Sequence, residues 1–165
     1  MKVQIMRRYA LSSYDDNLCL KPPVLLWVGV VYLSRAISLP IAMGVARLIG
    51  VSPDSTDLLR GLWSLYTLVP SLFAAAVLYA MFRRQPSASR GVRWIWAHGR
   101  TLLAVSAVVD AGLVILALLK QTDADTQALP SLCVAALDLY FMLYVLAARR
   151  VRDVFTDFPL PATVD

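Results

Sequence analysis

Histidine and cysteine are nearly absent from this chain: His98 stands alone, and Cys19 and Cys133 are the only thiols. No Cys-x-x-Cys or Cys/His spacing is present to hold a metal, and no cysteine–histidine pair to make a nucleophile. Gly-x-Ser-x-Gly, His-Glu-x-x-His and a glycine-rich phosphate loop are also missing. The sequence therefore predicts no enzyme, no cofactor and no metal centre. Charge is scarce as well, at 16% of residues, whereas 59% are hydrophobic. A soluble domain is usually about 45–50% apolar. The length fits one compact unit with no second soluble domain.

The apolar residues are gathered into four blocks, 24–48, 58–82, 101–119 and 129–148. A helix needs about 20 residues at 1.5 Å each to cross roughly 30 Å of hydrocarbon. Only helices or closed barrels can cross lipid, because the backbone finds no water there. None of the blocks alternates with the period of a barrel strand. The expected fold is an all-α integral membrane four-helix bundle. Segment 1–23 precedes it, 83–100 is a basic loop, and 149–165 is a tail. Pro22 and Pro23 suit a helix start, Gly50 and residues 51–55 a loop, and Pro130 the opening turn of the fourth block. Trp27, Trp63, Trp94 and Trp96 lie toward block ends, the level that amphipathic rings favour.

The basic residues set the orientation. Lys2, Arg7, Arg8 and Lys21 precede the first block; Arg83, Arg84, Arg90, Arg93 and Arg100 separate the second from the third; Arg149, Arg150 and Arg152 follow the fourth. The other ends carry only Arg47, Arg60 and Lys120, beside Asp54, Asp57, Asp123 and Asp125. The positive-inside rule puts both termini in the cytoplasm of a bacterial inner membrane. Topology thus accounts for the net charge of +5, and nucleic acid is not an expected partner. Anionic lipid headgroups are, at the basic loop. The basic start leads into Ser12, Ser13, Asp15 and Asp16, so a cleaved signal peptide is not expected. Cys19 and Cys133 fall on opposite sides, which excludes a disulfide. Residues 91–100, GVRWIWAHGR, read as an amphipathic interfacial turn, with His98 an ordinary interfacial residue rather than a pH sensor.

Three charges sit where charge is costly. Arg35, Asp110 and Asp138 lie near the middle of the first, third and fourth blocks. Each costs about 2.5–3.5 kcal/mol at the bilayer centre, so all three are expected to face inward and meet. Pro70, mid-way along the second block, should free the carbonyl of Tyr66, and that carbonyl with Thr67 and Ser71 could accept from the guanidinium. Ser38 and Ser106 stand one turn from Arg35 and Asp110. Ala36, Pro40 and Gly44 recur every fourth residue, and Ala74, Ala75 and Ala76 follow the proline, both suited to close helix approach. One cation facing two carboxyls leaves one negative charge over. That surplus serves either a structural pair whose spare acid holds a proton, a proton or cation pathway, or a cation brought by a partner subunit.

Tyr14-Asp15-Asp16-Asn17-Leu18-Cys19-Leu20-Lys21-Pro22-Pro23, with Leu25-Leu26-Trp27 and Leu33-Ser34-Arg35, resembles the start of the YfeZ-like family of small proteobacterial inner-membrane proteins of unknown function. The likeness covers about the first quarter of the chain, and Tyr14, Asp15, Leu20, Lys21, Pro22, Pro23 and Arg35 carry it. It implies an inner-membrane, multi-pass fold and supplies no activity. The expected function is a non-enzymatic membrane component that associates through its helices with itself or a larger complex. A small proton- or cation-coupled transporter is the alternative.

Overall fold

A computed structural model describes residues 9–15, 19–50, 67–120 and 128–159. Among them the chain is all-helical, with one isolated antiparallel bridge between Tyr14 and Leu20. A short 3-10 turn, Leu11–Ser13, precedes seven helices. These are α1 (Val24–Leu33), α2 (Arg35–Leu48), α3 (Leu68–Phe82), α4 (Arg90–Ala97), α5 (Gly99–Lys120), α6 (Ala128–Ala147) and α7 (Arg149–Thr156).

Helices α5 and α6 are long and apolar enough to cross a membrane. They pack side by side, α3 lies against α5, and α1 lies against α3. Their outward faces carry large apolar side chains such as Val108, Leu116, Leu137 and Leu143, all exposed. That pattern suits lipid contact and would be a liability in water. A Cβ at Gly29 would overlap the Phe141 ring, so the missing side chain lets α1 approach α6.

The first block is not the single helix expected for 24–48. It breaks at Ser34, and α2 leaves α1 at 84°. In an unbroken helix the carbonyls of Val31, Tyr32 and Leu33 would accept from backbone N–H groups one turn on. Here side chains replace those donors. Ser34 Oγ donates to Val31 O at 2.9 Å, Arg35 Nη1 to Tyr32 O at a long 3.5 Å, and Ser71 Oγ to Leu33 O at 2.8 Å. A break in an apolar environment is tolerable only when the freed groups are satisfied in this way. Helix α2 ends at Leu48, and Gly50 follows its cap with a φ of 87°, open to glycine at little cost.

The second block is described from Thr67 on, and its first half, 58–66, lies outside the described residues. Pro70 occupies the first turn of α3 rather than a mid-helix kink within the described stretch. The expected loop 83–100 and tail 149–165 contain helices of their own, α4 and α7. Ser89 caps α4 through its hydroxyl, which accepts from Val92 N–H.

Candidate functional site: a buried arginine–aspartate cluster

The break at Ser34 makes Arg35 the first residue of α2 and aims its side chain into the bundle. Arg35 Nη2 lies 2.6 Å from Asp110 Oδ2 on α5, and Nη1 lies 3.6 Å from Asp138 Oδ1 on α6. Exposure is 6% for Arg35, 1% for Asp110 and 0% for Asp138, so water is excluded from all three. One guanidinium thus ties three helices. The Tyr32 ring flanks it, 4.6 Å from Arg35 Cζ to the ring centre, and the Tyr32 hydroxyl donates to Val134 O one turn before Asp138. A charge pair in such surroundings is strong, but it must first recover the cost of leaving water. Two acids against one base leave the cluster one negative charge in excess when both are ionised.

The polar residues around it act on the backbone. Ser71, expected to accept from the guanidinium, instead donates to Leu33 O, because the break brings that carbonyl within reach. Ser106 Oγ donates to Pro70 O at 2.8 Å. Thr67 is buried at the start of α3, Ser38 is half-buried, and Tyr66 lies outside the described residues. Of the small residues, Ala36 and Ala74 are buried, but a Cβ at Gly44 would meet nothing within 4 Å. The expected close approach along the Ala36, Pro40, Gly44 line does not occur at Gly44 among the described residues.

A second polar centre was not foreseen. The resembling stretch, the basic loop and the tail come together at one end of the bundle around Arg84. Arg84 Nη1 donates to Leu20 O at 2.8 Å and Nη2 to Asp157 O at 2.6 Å, with Cζ 4.7 Å from the Trp96 ring centre. Leu20 N–H donates to Asp157 Oδ2, and Trp96 Nε1 to Val154 O and Asp157 O. Burial pulls the Arg84 pKa below its ordinary value, and Cys19, Asp15 and Asp157 oppose the fall. Val151, Val154 and Phe155 bury the apolar face of α7, and Phe155 fits where a Cβ at Gly99 would stand. The spacing 151, 154, 155 was a readable helix signal in the tail.

Within the resembling stretch, Tyr14 and Leu20 are buried partners in the bridge, and Asp15 Oδ1 accepts from Cys19 N–H at 2.8 Å. Pro22 is half-buried, Pro23 caps α1, and Lys21 is exposed. The basic loop divides, which corrects its reading as one headgroup surface. Arg84 is buried, Arg93 donates to Ala88 O and Pro86 O, and Arg100 donates to Val145 O and Leu146 O at the end of α6. Carbonyls at helix ends and in turns need donors, and these arginines supply them. Arg83 and Arg90 are exposed. Neither thiol forms a disulfide among the described residues; Cys19 is buried and Cys133 exposed.

Fold and cluster together define a helical protein with two helices able to cross a membrane, a third candidate span in the bent pair, and a sealed ion cluster between them. The chain belongs to the protein family of unknown function DUF2919, whose family model matches residues 9–157. No curated protein and no solved structure matches it significantly.

Proposed function

We propose that this protein is a non-enzymatic, multi-pass component of a bacterial inner membrane that works by helix association with itself or with a larger complex. On this reading the four apolar blocks form a four-helix bundle, both termini face the cytoplasm, and the chain falls among the YfeZ-like members of its family. The observation that carries it is the sealed Arg35–Asp110–Asp138 cluster: three charges with no more than 6% exposure lock α2, α5 and α6 into one arrangement. The broad apolar faces outside that lock are the surfaces left for lipid or a neighbouring subunit. The described parts of the three basic segments meet around Arg84 at one end of the helices, which supports that orientation.

A second reading rests on the charge count. The surplus carboxyl near mid-span is a group that a proton or a cation would neutralise, the element a coupled pathway needs. Four helices rarely enclose a path alone, so this reading also requires an oligomer.

Mild-detergent extraction and size determination decide first. A stoichiometric partner protein favours assembly, a lone homo-oligomer favours the pathway, and a lone monomer with no partner would contradict both. Flux in vesicles decides second. Under the assembly reading Asp110→Asn lowers abundance steeply and Asp138→Asn slightly, whereas under the pathway reading both abolish proton or cation flux in a folded, inserted protein.

A further inference from the structure

The cations at the Arg84 end separate into two sets. Arg84, Arg93 and Arg100 spend their guanidinium groups on backbone carbonyls. Lys21, Arg83, Arg90, Arg149 and Arg152 are exposed, and their side chains make no hydrogen bond or ion pair among the described residues. The nearby acids are already engaged: Asp15 accepts from Cys19 N–H, Asp153 from the Tyr9 hydroxyl, and Asp157 from Leu20 N–H. The end therefore presents five outward positive charges that no acid in the described chain answers.

Four of the five lie within four positions of an exposed apolar side chain. Lys21 precedes Val24, Arg83 follows Phe82, Arg90 lies one turn before Trp94, and Arg149 follows Leu146. A cation next to an apolar or aromatic group is the arrangement of a bilayer boundary, where the ring or alkyl group enters the acyl region and the charge reaches a phosphate. Trp94 also stacks on His98, with ring centres 4.6 Å apart, which holds the indole outward on the same face as Arg90.

We propose that this ring of Lys21, Arg83, Arg90, Arg149 and Arg152 is a docking surface for acidic phospholipid headgroups, selecting them over zwitterionic ones. The proposal rests on the membrane-spanning reading and adds to it a lipid class and the residues that choose it. Opposite charge gives selectivity because the anionic headgroup neutralises cations that are otherwise left facing one another. The binding weakens with salt.

Competition between brominated phosphatidylglycerol and phosphatidylcholine, read by tryptophan quenching of the full chain in bilayers, tests it. Wild type favours phosphatidylglycerol several-fold, and the preference shrinks in high salt. R83Q/R90Q/R149Q/R152Q lowers it by about fivefold or more, the effect of even a single surface cation near anionic lipid. R47Q, an exposed cation at the far end of α2, leaves it unchanged. Inorganic phosphate at constant ionic strength also leaves it unchanged; loss of the preference there would assign the surface to free phosphate and overturn the lipid proposal. Equal quenching by both lipids in wild type would overturn it too, without disturbing the membrane reading. Absence of quenching by either lipid would remove the membrane reading itself.

Discussion

Arg35 and Asp110 meet at 2.6 Å although 75 residues separate them in sequence, and the helix break at Ser34 is what lets them. Had α1 continued straight through Arg35, the guanidinium would have remained one side chain on a helix face. By turning at Ser34 the chain puts Arg35 at a helix start, beside α5 and α6, and uses Ser71 to satisfy the carbonyl it exposes. Fold and ion cluster are in this sense one device.

Arg35→Leu leaves two carboxyl groups buried without a cation. Breaking a buried pair by removing one partner costs about 3–5 kcal/mol. The expected outcome is a steep loss of membrane abundance and a lower midpoint of thermal unfolding in detergent. Adding Asp138→Asn to Arg35→Leu restores part of both.

The two aspartates are not equivalent. Asp110 holds the short contact and Asp138 the long one. Asp110→Asn is expected to destabilise by about 2–4 kcal/mol, while Asp138→Asn, which removes the surplus charge, costs less than about 1 kcal/mol. Chemical denaturation of the two variants in detergent micelles checks the order. The reverse order would place the structural pair on Asp138.

Two glycines give a matched comparison. Gly29→Ala forces a methyl group against the Phe141 ring and costs about 1–3 kcal/mol, an overpacking penalty that Phe141→Leu relieves. Gly44→Ala meets open space in a helix and is neutral or stabilising by up to about 1 kcal/mol. Thermal unfolding of both variants reads the difference.

Neighbouring arginines should behave differently. Arg84→Gln strands the Leu20 carbonyl, leaves Asp157 O with only the Trp96 N–H, and loosens the tail from the first segment, at about 2–4 kcal/mol. Arg83→Gln, an exposed change, stays within about 0.5 kcal/mol. Limited proteolysis of the tail beyond Ala148 is faster in the first and unchanged in the second.

What could be read from the sequence follows from what lipid forbids. Long apolar runs announce α5 and α6, and charges in their middles announce Asp110 and Asp138, because both signals are local and costly. The bend was not legible. Ser34 is neither glycine nor proline, and the group that makes the break tolerable, the Ser71 hydroxyl, comes from another helix. The arginines of the loop were misread together for the same reason. Composition marks Arg83 and Arg84 as equivalent neighbours, and only packing against Leu20, Trp96 and Asp157 separates them. The tail helix was legible, since Val151, Val154 and Phe155 fall on one face.

The most direct measurement is a double-mutant cycle on Arg35→Leu and Asp110→Asn, with unfolding free energies determined in the same detergent. If the two side chains hold the bundle through each other, the double variant loses less than the two single losses added, by a coupling of about 2 kcal/mol or more. Additive losses within about 0.5 kcal/mol would mean that the residues act independently, and the cluster would not be what fixes these helices together.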